Sequence, residues 1–377
     1  MVKSVLARED AVYKAFPDLA VRDDGVMICI YRESLCHVAR PFSRIVSQVS
    51  CDGGLNWARK RTIQECLDYE KDGGLNNPRI LYLGGRSLMI ICDWIPAHEQ
   101  EYTVNSKTFM WHSADGGETW GNMQDTGICG HICPSIFMTR AGKVLIGADA
   151  HDADTKTWSH DVYASTDGGN TFQGPVTVCA SQRLWLNEGT FVELDDGTLV
   201  CYMREDKERL RAYKAISRDD AESWNGPFPT HLLACAGRPR GGVLASGEVA
   251  VTYGFGTAPR LLVLHVEAQA VAADSEAGNR SEGGLPIRRF FIDHDRSIHP
   301  DGAYSGWTQF PLGALFVVQY ITDDAPMAHI RSYLIDRSDW LLCPGGLLRT
   351  QPWRTMQYHQ EALDDSAEKY RQAHETH

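Results

Sequence analysis

The sequence predicts an all-β fold: a six-bladed β-propeller of four-stranded antiparallel blades, with a short C-terminal helical tail. Two interleaved repeats predict it, together with the lack of any sizeable block outside them. The first repeat is a turn phrase, Ser50-Cys51-Asp52-Gly53-Gly54-Leu55-Asn56-Trp57. It returns as Ser113-Ala114-Asp115-Gly116-Gly117-Glu118-Thr119-Trp120, as Ser165-Thr166-Asp167-Gly168-Gly169-Asn170-Thr171-Phe172, and more loosely from Ser217 to Trp224. The copies recur at intervals of about 50 to 65 residues, a length suited to one blade. The Asp side chain can accept backbone N–H groups two residues on, Gly supplies positive φ, and the aromatic tucks beneath the turn. Such a turn serves stability, so Asp52, Asp115, Asp167 and Asp219 are read as structural.

The second repeat is a strand, a Gly turn and an apolar return strand. Its turns hold Gly25, Gly84-Gly85, Gly142, Gly197, Gly247 and Gly313, and its return strands include Val26-Met27-Ile28-Cys29-Ile30 and Leu315-Phe316-Val317-Val318. Six such hairpins predict six blades. Turn phrases follow only the first four, so the last two blades have diverged or close the ring. The Ala-, Ser-, Glu- and Gly-rich stretch from Glu267 to Gly284 reads as a surface loop between strands of the fifth and sixth blades. One propeller is expected over residues 1–350, followed by a charged, helix-prone or frayed tail over 351–377.

Bulk composition narrows the partners. The chain has 377 residues, 43% of them apolar and 23% charged, enough for a large core. A net charge of −12 repels a polyanion, so nucleic acid is not the expected partner. No apolar run approaches 18 residues, so no membrane span is expected. The N-terminus lacks an apolar targeting core, and Cys29, Cys92 and Cys201 sit in apolar runs like small core residues, which favours a reducing cytoplasm. The Cys129-Gly130-His131-Ile132-Cys133 cluster matches no zinc spacing. Neither a metal nor a cofactor is expected.

The Gly-turn hairpins with interspersed Ser-x-Asp-x-Gly-x-Thr-Trp turns resemble the sialidase superfamily, from about Phe16 to Ile335. The resemblance extends to Asn187-Glu188-Gly189-Thr190 running on to Tyr202-Met203-Arg204, where sialidases place a Glu and an Arg. It includes Asp301-Gly302-Ala303-Tyr304, where they place a nucleophilic Tyr, and Gly237-Arg238-Pro239-Arg240, near another Arg. The resemblance implies an exo-glycosidase acting on a terminal acidic sugar, with Tyr304 as nucleophile and Glu188 as its base. The chemistry explains the set. A carboxylate next to the anomeric carbon repels a carboxylate nucleophile, so a Tyr hydroxyl is the better attacker, and sialidases are the exception to the two-carboxylate scheme. Arginines then clamp the substrate carboxylate.

The first blade departs from that pattern. Ala15-Phe16-Pro17-Asp18 stands where sialidases carry Arg-Ile-Pro, and the loop that usually holds the acid/base Asp reads Arg32-Glu33-Ser34-Leu35-Cys36-His37. His37 or Asp18 is therefore the candidate proton donor, and Arg32 the candidate replacement for the missing Arg. Arg204, Arg238, Arg240 and Arg32 are expected to bind substrate. His131 and Asn77, at the starts of inner strands, are expected to line the same pocket, while Trp94, Trp158 and Trp185 either stack on sugar rings or fill space between blades. Two alternatives stay open: a propeller lyase or neutral-sugar hydrolase using His37 and Tyr304, and a glycan-binding propeller without catalysis.

Overall fold

The structure, a computed structural model, describes residues 1–99, 105–130, 135–233, 237–256, 261–282 and 285–341. His131 and the tail 351–377 lie outside the described residues. Six antiparallel sheets are arranged as the blades of a propeller, each stepping outward from the axis. Blade one comprises Tyr13–Val21, Met27–Ser34, Ser43–Ser50 and Ala58–Cys66. Blade two has Arg79–Gly84, Ser87–Ile95, Lys107–Ser113 and Gln124–Cys129, with the two-residue Gly74–Leu75 also pairing Ser87–Ile95. Blade three comprises Ser135–Met138, Val144–Asp152, Thr157–Ser165 and Gln173–Ser181, and blade four Leu186–Glu193, Leu199–Glu205, Tyr213–Ser217 and Asn225–Pro229. Blade five comprises Gly237–Val243, Val249–Phe255, Leu261–Glu267 and Ile287–His294.

Blade six takes Gly302–Gln309, Leu315–Ile321 and His329–Ile335 from the end of the chain, and its fourth strand, Val2–Ala7, from the beginning. Val2 faces Leu334 and Val5 faces Arg331. The ring is thereby closed by its own N-terminus, which also covers a sheet edge otherwise open to pairing. The stretch from Glu267 onward differs from its expected position. It connects the third and fourth strands within blade five, and carries the short helix Gln269–Ala272 and the 3₁₀ turn Ala277–Asn279 where earlier blades carry the Asp turn.

The second strands are continuous apolar runs because both faces of each are buried between blades. In blade one, Met27, Cys29 and Tyr31 pack against Phe316, Val318 and Tyr320 of blade six. The alternate residues, Ile28 and Ile30, pack against Leu88, Ile90 and Cys92 of blade two. Each such aliphatic side chain contributes about 1.5–3 kcal/mol by leaving water. Among the described residues no helix is long and apolar enough to cross a membrane.

The four turn phrases share one hydrogen-bond pattern. In the third copy Ser165 Oγ donates to Asp167 Oδ1 at 2.6 Å and accepts from Gly169 N at 2.9 Å, while Asp167 accepts from Thr171 N at 3.0 Å and Thr171 Oγ1 at 2.6 Å. The fourth copy lacks both glycines, and Asp220 and Ala221 adopt φ of 57° and 69° in their place. These bonds to the ionised form lower the turn carboxyls. The Asn56 backbone N–H, with help from its side chain and Ser50, brings Asp52 down to about 2. Asp115, Asp167 and Asp219 are lowered too, led by the side-chain hydroxyls of Thr119, Ser165 and Ser223. A folded-state value below the unfolded one gives stability that is complete above about pH 4 and is lost as pH falls through the folded values. Thermal unfolding followed from pH 5 to pH 2 is expected to show Tm dropping mainly below pH 4, and Asp167→Asn to flatten that dependence. An equally steep curve for the variant would exclude Asp167 as one of its sources.

Candidate active site

Four inner strands carry the same irregularity at the same end. The pairing register slips between Ala15 and Asp18, Asn187 and Thr190, Gly237 and Arg240, and Gly302 and Ser305. One extra residue in a strand re-aims its side chain. Phe16, Glu188, Arg238 and Ala303 sit in these bulges with φ of 58°, 50°, 31° and 70°. A non-glycine residue held there costs about 1–3 kcal/mol, which persists only where the surroundings impose it. Phe16, Glu188, Arg238 and Tyr304 each lie five positions before the last residue of their strand, namely Val21, Glu193, Val243 and Gln309. These four blades thus deliver one side chain each to a common level near the axis. Asn77 serves blade two, where Asp93 accepts from Asn77 N at 2.6 Å and from Asn77 Nδ2 at 3.2 Å.

These side chains meet. The Tyr304 hydroxyl donates to Glu188 Oε1. Arg204 Nη1 lies 3.0 Å from Glu188 Oε2 and 3.1 Å from Tyr304 Oη. Arg204 Nη2 pairs with Asp206 at 2.7 Å. Arg238 donates its backbone N–H to Glu188 Oε2 at 3.0 Å and Nη1 to Asn77 Oδ1 at 3.0 Å, and its guanidinium stands 5.6 Å from the centre of the Tyr304 ring. Glu188 is only 2% exposed. Burial alone would raise its carboxyl, but the Arg204 charge, the Tyr304 bond and the Arg238 charge outweigh it and hold the group below its ordinary value. Burial likewise works against the Arg204 charge, yet Glu188, Tyr304 and Asp206 keep that guanidinium firmly protonated.

The strained Glu188 backbone is held from behind. Its N–H donates to Asp149 Oδ2 at 3.2 Å, and Asp149 Oδ1 pairs with Nδ1 of the fully buried His160. A Cβ on the next residue, Gly189, would stand 2.2 Å from His160 Nε2 and 2.8 Å from Cys201 Sγ. Gly189→Ala is therefore expected to lower stability by about 1–3 kcal/mol through overpacking. Thermal denaturation checks this; an unchanged Tm would show that His160 can yield.

His37 also packs against the Phe16 ring and is 57% exposed at its side chain. Its ring centre is 5.4 Å from that of Phe16, which is in turn 5.5 Å from that of Tyr304. Nδ1 of His37 meets Asp301 Oδ2 at 2.9 Å, and Asp301 also accepts from the hydroxyls of Tyr13 and, at 3.0 Å, Tyr320. Burial would raise the Asp301 carboxyl, but its bond and attraction to His37 and the two phenol bonds lower it. An ionised Asp301 can accept from Nδ1–H of His37.

The remaining sequence candidates lie elsewhere in this frame. Asp18 and Arg240 are one layer deeper, three positions before Val21 and Val243. Asp18 is fully buried, accepts from Ile80 N at 3.1 Å, and stands 3.6 Å from Arg240 and 3.8 Å from Arg79. Arg32 is 0% exposed. It stacks on Phe16, donates to Asn76, and donates to the carbonyls of Cys36 at 2.9 Å and His37 at 2.7 Å. That geometry makes it a strut for the loop that carries His37. Trp94 Nε1 bonds the Asp72 carbonyl at 2.9 Å, away from this group.

The architecture is a six-bladed propeller, the fold that sialidases also have. Solved structures with this fold include a protein of unknown function from Dyadobacter fermentans, with TM-score 0.71, 18% identity, and coverage of 89% of this chain and 97% of that one. The intramolecular trans-sialidase from Ruminococcus gnavus, in complex with oseltamivir carboxylate, gives TM-score 0.65 at 13% identity over 88% of this chain and 96% of that one. The Trypanosoma rangeli sialidase in complex with the inhibitor DANA gives TM-score 0.64 at 14% identity, and this chain spans 59% of its length. No family model and no curated protein matches the sequence.

Proposed function

We propose that the chain is a retaining exo-glycosidase that hydrolyses a terminal sugar bearing a carboxylate, of the sialic-acid, ulosonic or uronic class. The observation that carries this reading is the Tyr304–Glu188–Arg204 contact, a phenol bonded to a buried carboxylate with one guanidinium bonded to Glu188 Oε2 and to the phenol oxygen. Tyr304 Oη attacks the anomeric carbon as its proton passes to Glu188, and the bond to the leaving oxygen breaks as that oxygen takes a proton from His37. Water then attacks the same carbon, His37 accepts the water's proton, and the bond to Tyr304 breaks as Glu188 returns the phenol's proton. Arg204 is aimed at the oxygen on which charge develops. His37 is chosen over Asp18 because it is exposed and Asp18 is sealed beneath the inner strands. Arg238 and Arg204 hold the substrate carboxylate; Arg32 keeps its loop in place.

Ala15, where the resemblance calls for a third guanidinium, favours a second reading, in which the sugar is a uronate or is uncharged and His37 with Tyr304 carries a lyase or neutral-hydrolase reaction. Purified protein should be assayed on aryl glycosides of sialic acid, other ulosonic acids, uronic acids and neutral hexoses, and on uronate polymers. Turnover of an acidic aryl glycoside, abolished in Tyr304→Phe, supports the first reading. Unsaturated products from uronate polymers support the second. No turnover and unaltered glycan binding in the variant leave a non-catalytic binding propeller.

A further inference from the structure

Beside the Glu188 site lies a cleft of about 490 Å³ that the reaction outlined above leaves unused. It opens between blades three and four, where the hairpin from Asp152 to Thr157 meets the segment leading into Leu186–Glu193. Its aromatic wall is a stack of three rings. Trp158 lies between His151 and Trp185, each ring centre 4.2 Å away and each plane tilted by under 30°. Both tryptophans are only half-buried. Stacking on both faces fixes Trp158, so the wall is rigid before any ligand arrives. Ala153, Lys156, Lys207 and Gln182 also line it, and among the described residues no carboxylate does. Lys207 Nζ donates to the Gln182 carbonyl at 3.3 Å. Among the described residues neither lysine forms an ion pair with a carboxylate.

The cleft is also linked to the candidate site through the chain and its hydrogen bonds. Trp185 is three residues before Glu188 on one extended segment, roughly 10 Å along the chain. Asp206 N donates to the Trp185 carbonyl at 3.0 Å, and Asp206 pairs with Arg204, which pairs with Glu188.

We propose that this cleft is a second saccharide site that takes a carboxylate-bearing sugar unit further along the same glycan chain. The apolar face of a pyranose suits the face of Trp185 turned away from Trp158, and the sugar's carboxylate suits the two ammonium groups. A cleft of this size accommodates a small ligand. The proposal rests on the acidic-sugar reading only for its placement on one chain; the binding itself is independent of turnover.

The test separates the two. Binding of a sialic acid trisaccharide, a trigalacturonate and a neutral maltotriose is measured by calorimetry and by saturation-transfer NMR, using Glu188→Gln protein so that nothing is consumed. At least one of the two acidic trisaccharides is expected to bind, and maltotriose much more weakly. Trp185→Ala and the double variant Lys156→Ala/Lys207→Ala should each weaken that binding about tenfold or more. In an otherwise native background the lysine variant should leave turnover of an aryl monosaccharide unchanged. Unaltered trisaccharide binding in both variants, or equal binding of maltotriose, overturns the cleft proposal even where the aryl glycoside is cleaved. Absence of all turnover with cleft-dependent trisaccharide binding removes the enzymatic reading and leaves the cleft.

Discussion

Tyr304→Phe is expected to lower kcat/KM on an acidic aryl glycoside by about 10²–10⁴-fold, and Glu188→Gln by a similar factor. Phenylalanine keeps the ring that packs on Phe16 and Tyr320 and removes only the attacking oxygen. Glutamine keeps the shape but cannot take the phenol's proton. Arg204 retains Asp206 as a partner at 2.7 Å, so the Glu188 variant should still fold. Because the two groups act on one proton, their effects should not add; the double variant should be little worse than either single one. The low-lying Glu188 carboxyl also fixes the acid side of the pH profile. A group held below its ordinary value stays ionised in weak acid, so activity that depends on the Glu188 carboxylate should persist until the pH drops beneath the usual glutamate value of about 4.3. A Tyr304→Phe protein with native kcat/KM, or additive losses in the double variant, would show that the contact is structural only.

The parts of this site differ in how far the sequence exposes them, and the reason is range. The six Gly turns and the return strands are local patterns, and burial of both strand faces forces the apolar runs that make them visible. Glu188, Arg204 and Tyr304 are legible because each sits at a recognisable place in its own hairpin. Their bulges are not: one extra residue leaves no mark in a single sequence, and only the register reveals that Arg238 and Arg240 are aimed at different layers. Val2–Ala7 is hidden for another reason. Its first four residues are exposed, so it carries little of the apolar signal of the inner strands. Asp149 and His160 support Glu188 from blade three, and Asp301 supports His37 from 264 residues away. No local spacing encodes such partners. Arg32 marks the converse difficulty. An arginine at the end of an apolar strand looks like a ligand for substrate, yet its donors serve Asn76 and the loop carbonyls behind His37.

His37→Ala should have an effect that depends on the leaving group. A proton donor matters most when the departing oxygen is strongly basic, and hardly at all when it leaves readily as an anion. Glycosides of acidic phenols should therefore lose little in the bond-breaking step, whereas alkyl glycosides or natural disaccharides should fall by about 10²–10⁴-fold. Steady-state turnover of the activated substrate would then be limited by attack of water, which His37 also assists, and a small anionic nucleophile such as azide should restore it by replacing water. Asp301→Asn separates the imidazole's chemistry from its placement. The amide still fills the pocket between Tyr13 and Tyr320, but it no longer offers His37 a carboxylate. It should reproduce part of the alkyl-glycoside loss with the aryl reaction nearly intact. A uniform loss across all leaving groups in both variants would instead make the pair a scaffold for the loop at residues 35–37, with the proton donor to be sought elsewhere at the mouth of the site.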